Sequence, residues 1–382
     1  MTNRVSSRLT NITIKPSHFA LFVIFFSLFG LLCIFDASVA DSLQTFGVPW
    51  YYASRHAIWV GLGTIIFLVL GLIPITSWQK TTKVIFLVAV ILLVAVLIPG
   101  VGTRLQGAQR WILLGPVPIQ PAEIAKLAVV IFFASWLSRH QRFLPFLVFS
   151  SALAGLVLLQ PNMSNAVIIF LLATSMYFLA GGNWKPLATF MAFASILGLL
   201  LIAAVPYRRE RAMTFLDPTS DPLGSSYHIR QITIALGRGG LFGQGIGLSK
   251  QKQHYLPETA NDSVFAVLAE ETGFIGSIMI IGLYMLLINS GLSIAKVQDD
   301  KFKYLIAIGI TTWLTLQIML NLSAMVALVP LTGVPLPLLS YGGSAYLSNM
   351  IGLGILYRLL IETTKPKNRR SRGSRSRLIK RF

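Results

Sequence analysis

The chain alternates long apolar runs with short polar connections. Ten runs approach the ~20 residues that a helix needs to cross a hydrocarbon core. They lie at 18–38, 57–73, 83–99, 121–137, 143–159, 163–180, 187–205, 268–294, 304–328 and 345–361. Prolines stand at several edges (Pro99, Pro121, Pro145, Pro186), where a missing backbone N–H is tolerated. One connection breaks this rhythm. From Pro206 the chain passes through Tyr207-Arg208-Arg209-Glu210-Arg211 and Phe215-Leu216-Asp217-Pro218. It then runs through the glycine-dense stretch Gly237 to Gly247 and on to Leu256-Pro257-Glu258-Thr259-Ala260-Asn261-Asp262, turning apolar again from Ser263. A polar excursion this long in a lipid-soluble chain is expected to be a working surface. The pattern predicts an all-α polytopic membrane protein with ten transmembrane helices. The expected division is a segment 1–17, a membrane domain 18–361 with an extracytoplasmic loop 206–267 between its seventh and eighth helices, and a basic tail 362–382.

Composition agrees with the pattern: 12% of the 382 residues are charged, half the ~25% of soluble domains. The single cysteine, Cys33, lies in an apolar run and excludes an intramolecular disulfide or a cysteine metal site. The five histidines (18, 56, 140, 228, 254) form no ligand pattern. The net charge of +19 matters through its distribution. With the N-terminus inside, the inner segments hold eleven basic residues: Arg4, Arg8, Lys15, Lys80, Lys83, Arg139, Arg142, Lys185, Lys296, Lys301 and Lys303. The short outer loops hold three, Arg55, Arg104 and Arg110. Ten more follow from Arg358 onward. Basic residues favour the cytoplasmic side, so both termini are expected in the cytoplasm and 206–263 on the outer face. The tail from Lys365 reads as an anchor on anionic membrane lipid, at about 1 kcal/mol per basic residue, or as a dock for a cytoplasmic partner. Nucleic acid is not an expected partner, because no folded basic domain or interleaved aromatics accompany the charge.

Ionisable residues near membrane depth are the informative ones, since an unpaired charge there is costly. Glu123 and Lys126 are three apart in the first turns of the fourth run and share a helix face. They read either as a self-neutralising pair or as a polar wall of an outward cavity. Arg110 precedes Trp111, an interface tryptophan, and could meet an anionic headgroup. Arg208, Arg209 and Arg211 oppose the positive-inside trend and read as a lipid-facing turn or as a diphosphate clamp. Six of the eleven residues from Gly237 to Gly247 are glycine, consistent with a mobile loop or a backbone nest for an anion; no β-α-β context supports a dinucleotide fingerprint. Asp262 is the candidate general base. Against that stands a helix cap, because Asn261-Asp262-Ser263 precedes an apolar helical run and a capping aspartate is a poorer base. If helix continues from Asp262, Glu270 lies about 12 Å deeper and about 80° around, lining the same cleft. Glu271, on the opposite side, is expected to pair with a neighbouring helix or to face a second cavity.

In this order the pieces resemble the SEDS family of peptidoglycan polymerases (shape, elongation, division and sporulation). The resemblance rests on Gly107-Ala108-Gln109-Arg110-Trp111-Ile112, Gln120-Pro121-Ala122-Glu123 with Lys126, and Gln160-Pro161-Asn162. It continues through the Arg208 cluster with Phe215-Leu216-Asp217-Pro218, and Leu256-Pro257-Glu258 through Asp262 to Glu270-Glu271-Thr272-Gly273. Pro330-Leu331-Thr332-Gly333-Val334-Pro335-Leu336-Pro337 and Ser340-Tyr341-Gly342-Gly343-Ser344 complete it. Ser249-Lys250-Gln251-Lys252 followed by Tyr255-Leu256-Pro257-Glu258 is closer to the cell-division branch than to the elongation branch. Two stretches depart from the family pattern. Gln160-Pro161-Asn162-Met163-Ser164-Asn165 stands where Gln-Pro-Asp-x-Gly-Thr is usual, and Ala260-Asn261-Asp262-Ser263 where His-Thr-Asp-Phe is common.

The resemblance implies a bacterial cytoplasmic-membrane enzyme, working at the division septum, that polymerises lipid II at the outer face with inversion and releases undecaprenyl diphosphate. It implies Asp262 as base, with Arg110, Arg208 and Arg211 holding the diphosphate. Glu123, Lys126, Lys252, Glu270 and Ser340 join the expected substrate site. It implies no firm cofactor, leaving room for a divalent cation (Mg or Mn), and partners in a class B penicillin-binding protein and other divisome proteins. A lipid II flippase and a non-catalytic scaffold are the rival readings. The crowding of Arg110, Glu123, Lys126, Asp262 and Glu270 in the outer half favours chemistry there over a path through the bilayer.

Overall fold

The computed structural model describes residues 14–105, 108–115, 117–217, 226–253 and 255–364. Among these, twelve helices run in chain order: α1 (Pro16–Phe46), α2 (Tyr51–Leu70), α3 (Ile75–Ala95), α4 (Pro121–Leu137), α5 (Phe143–Leu158), α6 (Met163–Leu179), α7 (Trp184–Ala204), α8 (Pro206–Leu216), α9 (Tyr227–Gly239), α10 (Val264–Lys296), α11 (Lys301–Met325) and α12 (Gly343–Thr364). Each of the ten apolar runs overlaps one helix of its own. Seven of the twelve, α1, α2, α3, α7, α10, α11 and α12, are long and apolar enough to cross a membrane by length and composition. The chain is a helical polytopic membrane protein. Its basic tail and the extreme N-terminal arginines lie outside the described residues.

Prolines open α1, α4 and α8, where their fixed φ suits the first helical turn. Gly47 closes α1 in the left-handed region (φ 73°) and donates its N–H to Leu43 O, the usual glycine stop. At the centre is α4, packed against α3, α6, α11 and α12 and buried along almost its whole length. α7 is the opposite case, with Leu187 its one buried residue. A helix apolar all round and unpacked by its own chain belongs against lipid or another protein.

The all-helical expectation needs one correction. The connection between α3 and α4 is an antiparallel sheet of three strands, β1 (Gly102–Leu105), β2 (Ala108–Leu114) and β3 (Val117–Ile119), in the order β1-β2-β3. Thr103 faces Trp111 and Ile112 faces Ile119. The Gln109 amide ties the sheet to the end of α3 by donating to Val96 O (3.1 Å).

The polar excursion is likewise more ordered than a loop, since α8 and α9 lie within it. The glycine run is not a free loop: it packs on α10 through its backbone, and the Gly247 N–H reaches the Glu271 carboxylate. α10 is broken at Gly273 (φ 68°, ψ −162°), and the run fills the break. Gln244 N and Gly245 N donate to the Glu270 and Glu271 carbonyls (2.9 and 3.0 Å). On the far side, Phe274 N and Ile275 N donate to the Gly240 and Leu241 carbonyls (2.9 and 3.2 Å). A broken helix near lipid must satisfy its freed backbone groups within the protein, and here a second segment does so by close backbone contact. A side chain at Gly243 would collide with the Glu271 carbonyl, and one at Gly273 with the Gly243 backbone.

Candidate functional site

The site lies at the end of the bundle where α4, α6, α10 and α12 begin. Ser344 joins two of these starts by accepting from Gln120 N (3.2 Å) and donating to Pro118 O (2.8 Å). The 330–337 segment gathers the others. Its Leu331 carbonyl accepts from Arg211 Nη1 on α8 (3.1 Å), and its Thr332 carbonyl from Ser164 Oγ on α6 (2.6 Å). Asn321 of α11 donates to both Val334 O and Asp262 O (2.9 Å each). A buried amide in an apolar span must find such partners.

Asp262 sits in this convergence, and it is not a helix cap. The cap position of α10 belongs to Ser263, and helix begins only at Val264. The Asp262 side chain is buried, and its Oδ1 has no hydrogen-bond partner among the described residues. Oδ2 lies beside Gly333, where an added Cβ would stand 3.9 Å away. Burial pushes the carboxyl up from an ordinary 3.8 to about 6, and the Glu258 charge adds to the rise. A backbone hydrogen bond, then Arg211 and Arg110, pull the other way. A carboxyl tuned close to neutral pH and flanked by two guanidinium groups can accept a proton while anionic charge builds nearby.

The remaining expected residues divide into two groups. Arg110 on β2 and Arg211 on α8 reach Asp262 electrostatically, and Arg208 on the same helix as Arg211 points its Nη2 toward Leu158 O (3.5 Å). The others face internal partners. Glu123 and Lys126 pair at 2.7 Å with no exposure, and Lys126 also lies over the Trp313 ring of α11 (5.9 Å). They form a closed pair inside the bundle, not the wall of an open cavity. Lys252 Nζ bridges Asp36 of α1 and Glu271 of α10 at 2.7 Å each. Glu270 is fully buried and does not share a cleft with Asp262, because the 258–263 turn is not helical. Its carboxylate accepts from Ser249 Oγ and Gln251 N and pairs with Arg238 Nε (3.5 Å). Ser340 Oγ accepts from Leu336 N (2.8 Å) and braces the 336–340 turn. Asn162, at the site of the missing family acid, caps α6 by accepting from Asn165 N (3.4 Å).

Sequence reasoning missed three contributors: Asn321, Gly333 and His228, whose Nε2 is hydrogen bonded to Ser263 Oγ (2.8 Å). Only Asn321 carried a signal, as an amide inside an apolar run. The described residues contain no group of three or more His, Cys, Asp or Glu able to hold a metal. The donor set therefore does not fit a cation bound by these residues alone.

A bundle of apolar helices with a buried acid and a basic cluster at one end defines a polytopic membrane protein built around a polar site at its surface. The chain belongs to the FtsW/RodA/SpoVE family of cell cycle proteins, whose pattern it matches over residues 17–365. It is 38% identical over 345 residues to the probable peptidoglycan glycosyltransferase FtsW of Coxiella burnetii, covering 87% of this chain and 93% of that one. It is 36% identical over 341 residues to stage V sporulation protein E of Bacillus subtilis, covering 86% and 92%. Among solved structures it is similar to a chain from a study of how a peptidoglycan synthase complex coordinates polymerization and crosslinking. There the TM-score is 0.73 at 26% identity, over 91% of this chain and 98% of that one.

Proposed function

We propose that this protein is a peptidoglycan glycosyltransferase that polymerises lipid II during cell division, with Asp262 as its general base. The observation that carries the reading is the state of Asp262: buried, free of the helix cap, and pushed up to about 6 between Arg110 and Arg211. The acceptor's GlcNAc 4-hydroxyl attacks the anomeric carbon of the donor MurNAc and passes its proton to the Asp262 carboxylate. The bond to the diphosphate breaks from the opposite face, inverting the anomeric centre, and undecaprenyl diphosphate leaves with the electron pair. Arg110, Arg208 and Arg211 hold the charge that develops on it. The buried pairs Glu123–Lys126 and Lys252–Glu271 and the braced Ser340 turn act on substrate indirectly, by fixing the elements that carry these groups.

In this reading ten helices cross the membrane, both termini are cytoplasmic, and the 206–267 region with α8 and α9 caps the outer face, as the distribution of basic residues supports. The partner is a penicillin-binding transpeptidase, in keeping with the likeness to a chain of a synthase complex, and the place of work is the division septum. The test is polymerisation of lipid II by the purified protein with its transpeptidase. Glycan strands are expected from the native chain and none from Asp262→Ala. Full polymerisation by the alanine variant would remove the base. Translocation of labelled lipid II in liposomes without glycan product would replace the polymerase with a flippase.

A further inference from the structure

Ser263 stands at the N-cap of α10, where a serine hydroxyl ordinarily accepts a backbone N–H of the first turn. Here it makes no such bond. Its Oγ is joined to His228 Nε2 at 2.8 Å, and Ser263 is fully buried. The backbone of Ser263 (φ −93°, ψ 4°) lies in the bridge region next to the helical one. A rotation of ψ by roughly 45° would bring it to helical values and make it the first residue of α10. That step would make Asp262 the N-cap, its carboxylate turned onto the helix N–H groups.

Several bonds fix the surrounding turn through its backbone. Ser263 N donates to Glu258 O (3.3 Å), Tyr341 N to Ala260 O (2.7 Å), and Asn321 Nδ2 to Asp262 O (2.9 Å). The Ser263 side chain itself is bonded to His228 and not to the helix end. His228 is itself well anchored, because α9 is docked along α10. Gly239 packs on the Ala269 carbonyl, where any side chain would collide, and Arg238 pairs with Glu270 (3.5 Å).

We propose that His228 is a positioning residue for Asp262: by binding the Ser263 hydroxyl it stops α10 from extending by one residue and drawing the carboxylate onto the helix end. The proposal deepens the reading of Asp262 as base and rests on it. A carboxylate that accepts backbone N–H bonds is stabilised in its ionised form and is a weaker base. The groups facing Asp262 are Glu258 on its own turn, Arg211 from α8 and Arg110 from β2. Arg211 also acts on His228, where burial, with that charge second, pushes the imidazole down to about 4. The ring is thus neutral wherever Asp262 is ionised, and the contact to Ser263 survives across the working range.

The test is the pH profile of lipid II polymerisation by the full chain with its transpeptidase, for His228→Ala, His228→Gln and Ser263→Ala. In His228→Ala the acid limb of kcat/KM is expected to move from about 6 toward the ordinary 3.8, with kcat lower by roughly tenfold on Brønsted grounds. Ser263→Ala leaves α9 untouched and is expected to move the limb the same way, which keeps the test open if His228→Ala folds poorly. His228→Gln, whose amide can reach the hydroxyl, is expected to recover the native limb. An acid limb unmoved in both alanine variants overturns the proposal, whatever their rates, and so does an equal loss of rate in His228→Ala and His228→Gln. Asp262→Asn separates the two levels. If it is inactive while the limb stays put in the alanine variants, only this inference fails; if it polymerises, the base and the inference fall together.

Discussion

The state of Asp262 makes a linked prediction about activity and stability. In the folded protein its carboxyl is pushed up from 3.8 to about 6, a displacement corresponding to ~3 kcal/mol at 1.36 kcal/mol per pH unit. The folded state therefore holds this proton more tightly than the unfolded chain does. The stabilisation belonging to the protonated form is fully present below about 3.8 and is lost as pH rises through about 6. Above that, the native protein carries the whole cost of an ionised carboxylate with an unpartnered buried oxygen. Asp262→Asn keeps the shape and removes the charge. At pH 7.5 it is expected to be more stable than the native chain by up to ~3 kcal/mol, and at pH 4 to differ little.

Activity moves the other way. The native kcat/KM is expected to rise through an acid limb near pH 6 as the base ionises, and the asparagine variant to lose about 10²–10⁴-fold in rate. Thermal unfolding of both proteins between pH 4 and 8, beside lipid II polymerisation over the same range, reads both quantities. A variant less stable than the native chain at pH 7.5 would mean that the carboxylate is held by favourable partners, as a cap or an ion pair would be. That result would refute the argument even if activity were lost.

Three further perturbations test the surroundings. Arg211→Gln removes a positive charge that lowers the Asp262 carboxyl, so the acid limb of kcat/KM is expected to move upward from pH 6, and a downward move would contradict the geometry. Gly273→Ala places a side chain at φ 68° against the Gly243 backbone; it is expected to destabilise by ~1–3 kcal/mol and to raise amide exchange across 240–245. Lys252→Ala leaves Asp36 and Glu271 facing each other without their shared cation, at a cost on the order of 3–5 kcal/mol in thermal unfolding. Adding Glu271→Gln to that variant is expected to recover part of the loss.

The apolar runs were legible because a span must be satisfied by its own backbone, so hydropathy and length alone locate a helix. Their ends were less so. The first run fades after residue 38, yet α1 continues to Phe46, and within it Asp36 pairs with Lys252, 216 positions away in sequence. Lys252 read as a substrate group because its partners Asp36 and Glu271 come from distant helices, and Glu270 because Ser249, Gln251 and Arg238 face it from another segment. A charge in an apolar setting signals that something must face it, and sequence does not say whether the partner is ligand or protein. The glycine run posed the same question for the backbone. Its composition announced close approach, and the thing approached, the break in α10 at Gly273, is set by packing between segments thirty residues apart.

The assignment of Asp262 turned on a single position. Asn261, Asp262 and Ser263 are three consecutive residues that all favour helix caps, and local preference cannot choose among them. The choice is made from outside the segment. Asn321 holds the Asp262 carbonyl from α11, His228 takes the Ser263 hydroxyl from α9, and the helix starts at Val264. One step of register separates an acid with a depressed pKa bound to N–H groups from one pushed up to about 6 with an unpartnered oxygen. The chemistry of the site is thus a tertiary property of a turn whose residue types were plain in the sequence. Replacing either outside contact tests it more sharply than replacing the acid, because the acid remains in place and only its basicity changes.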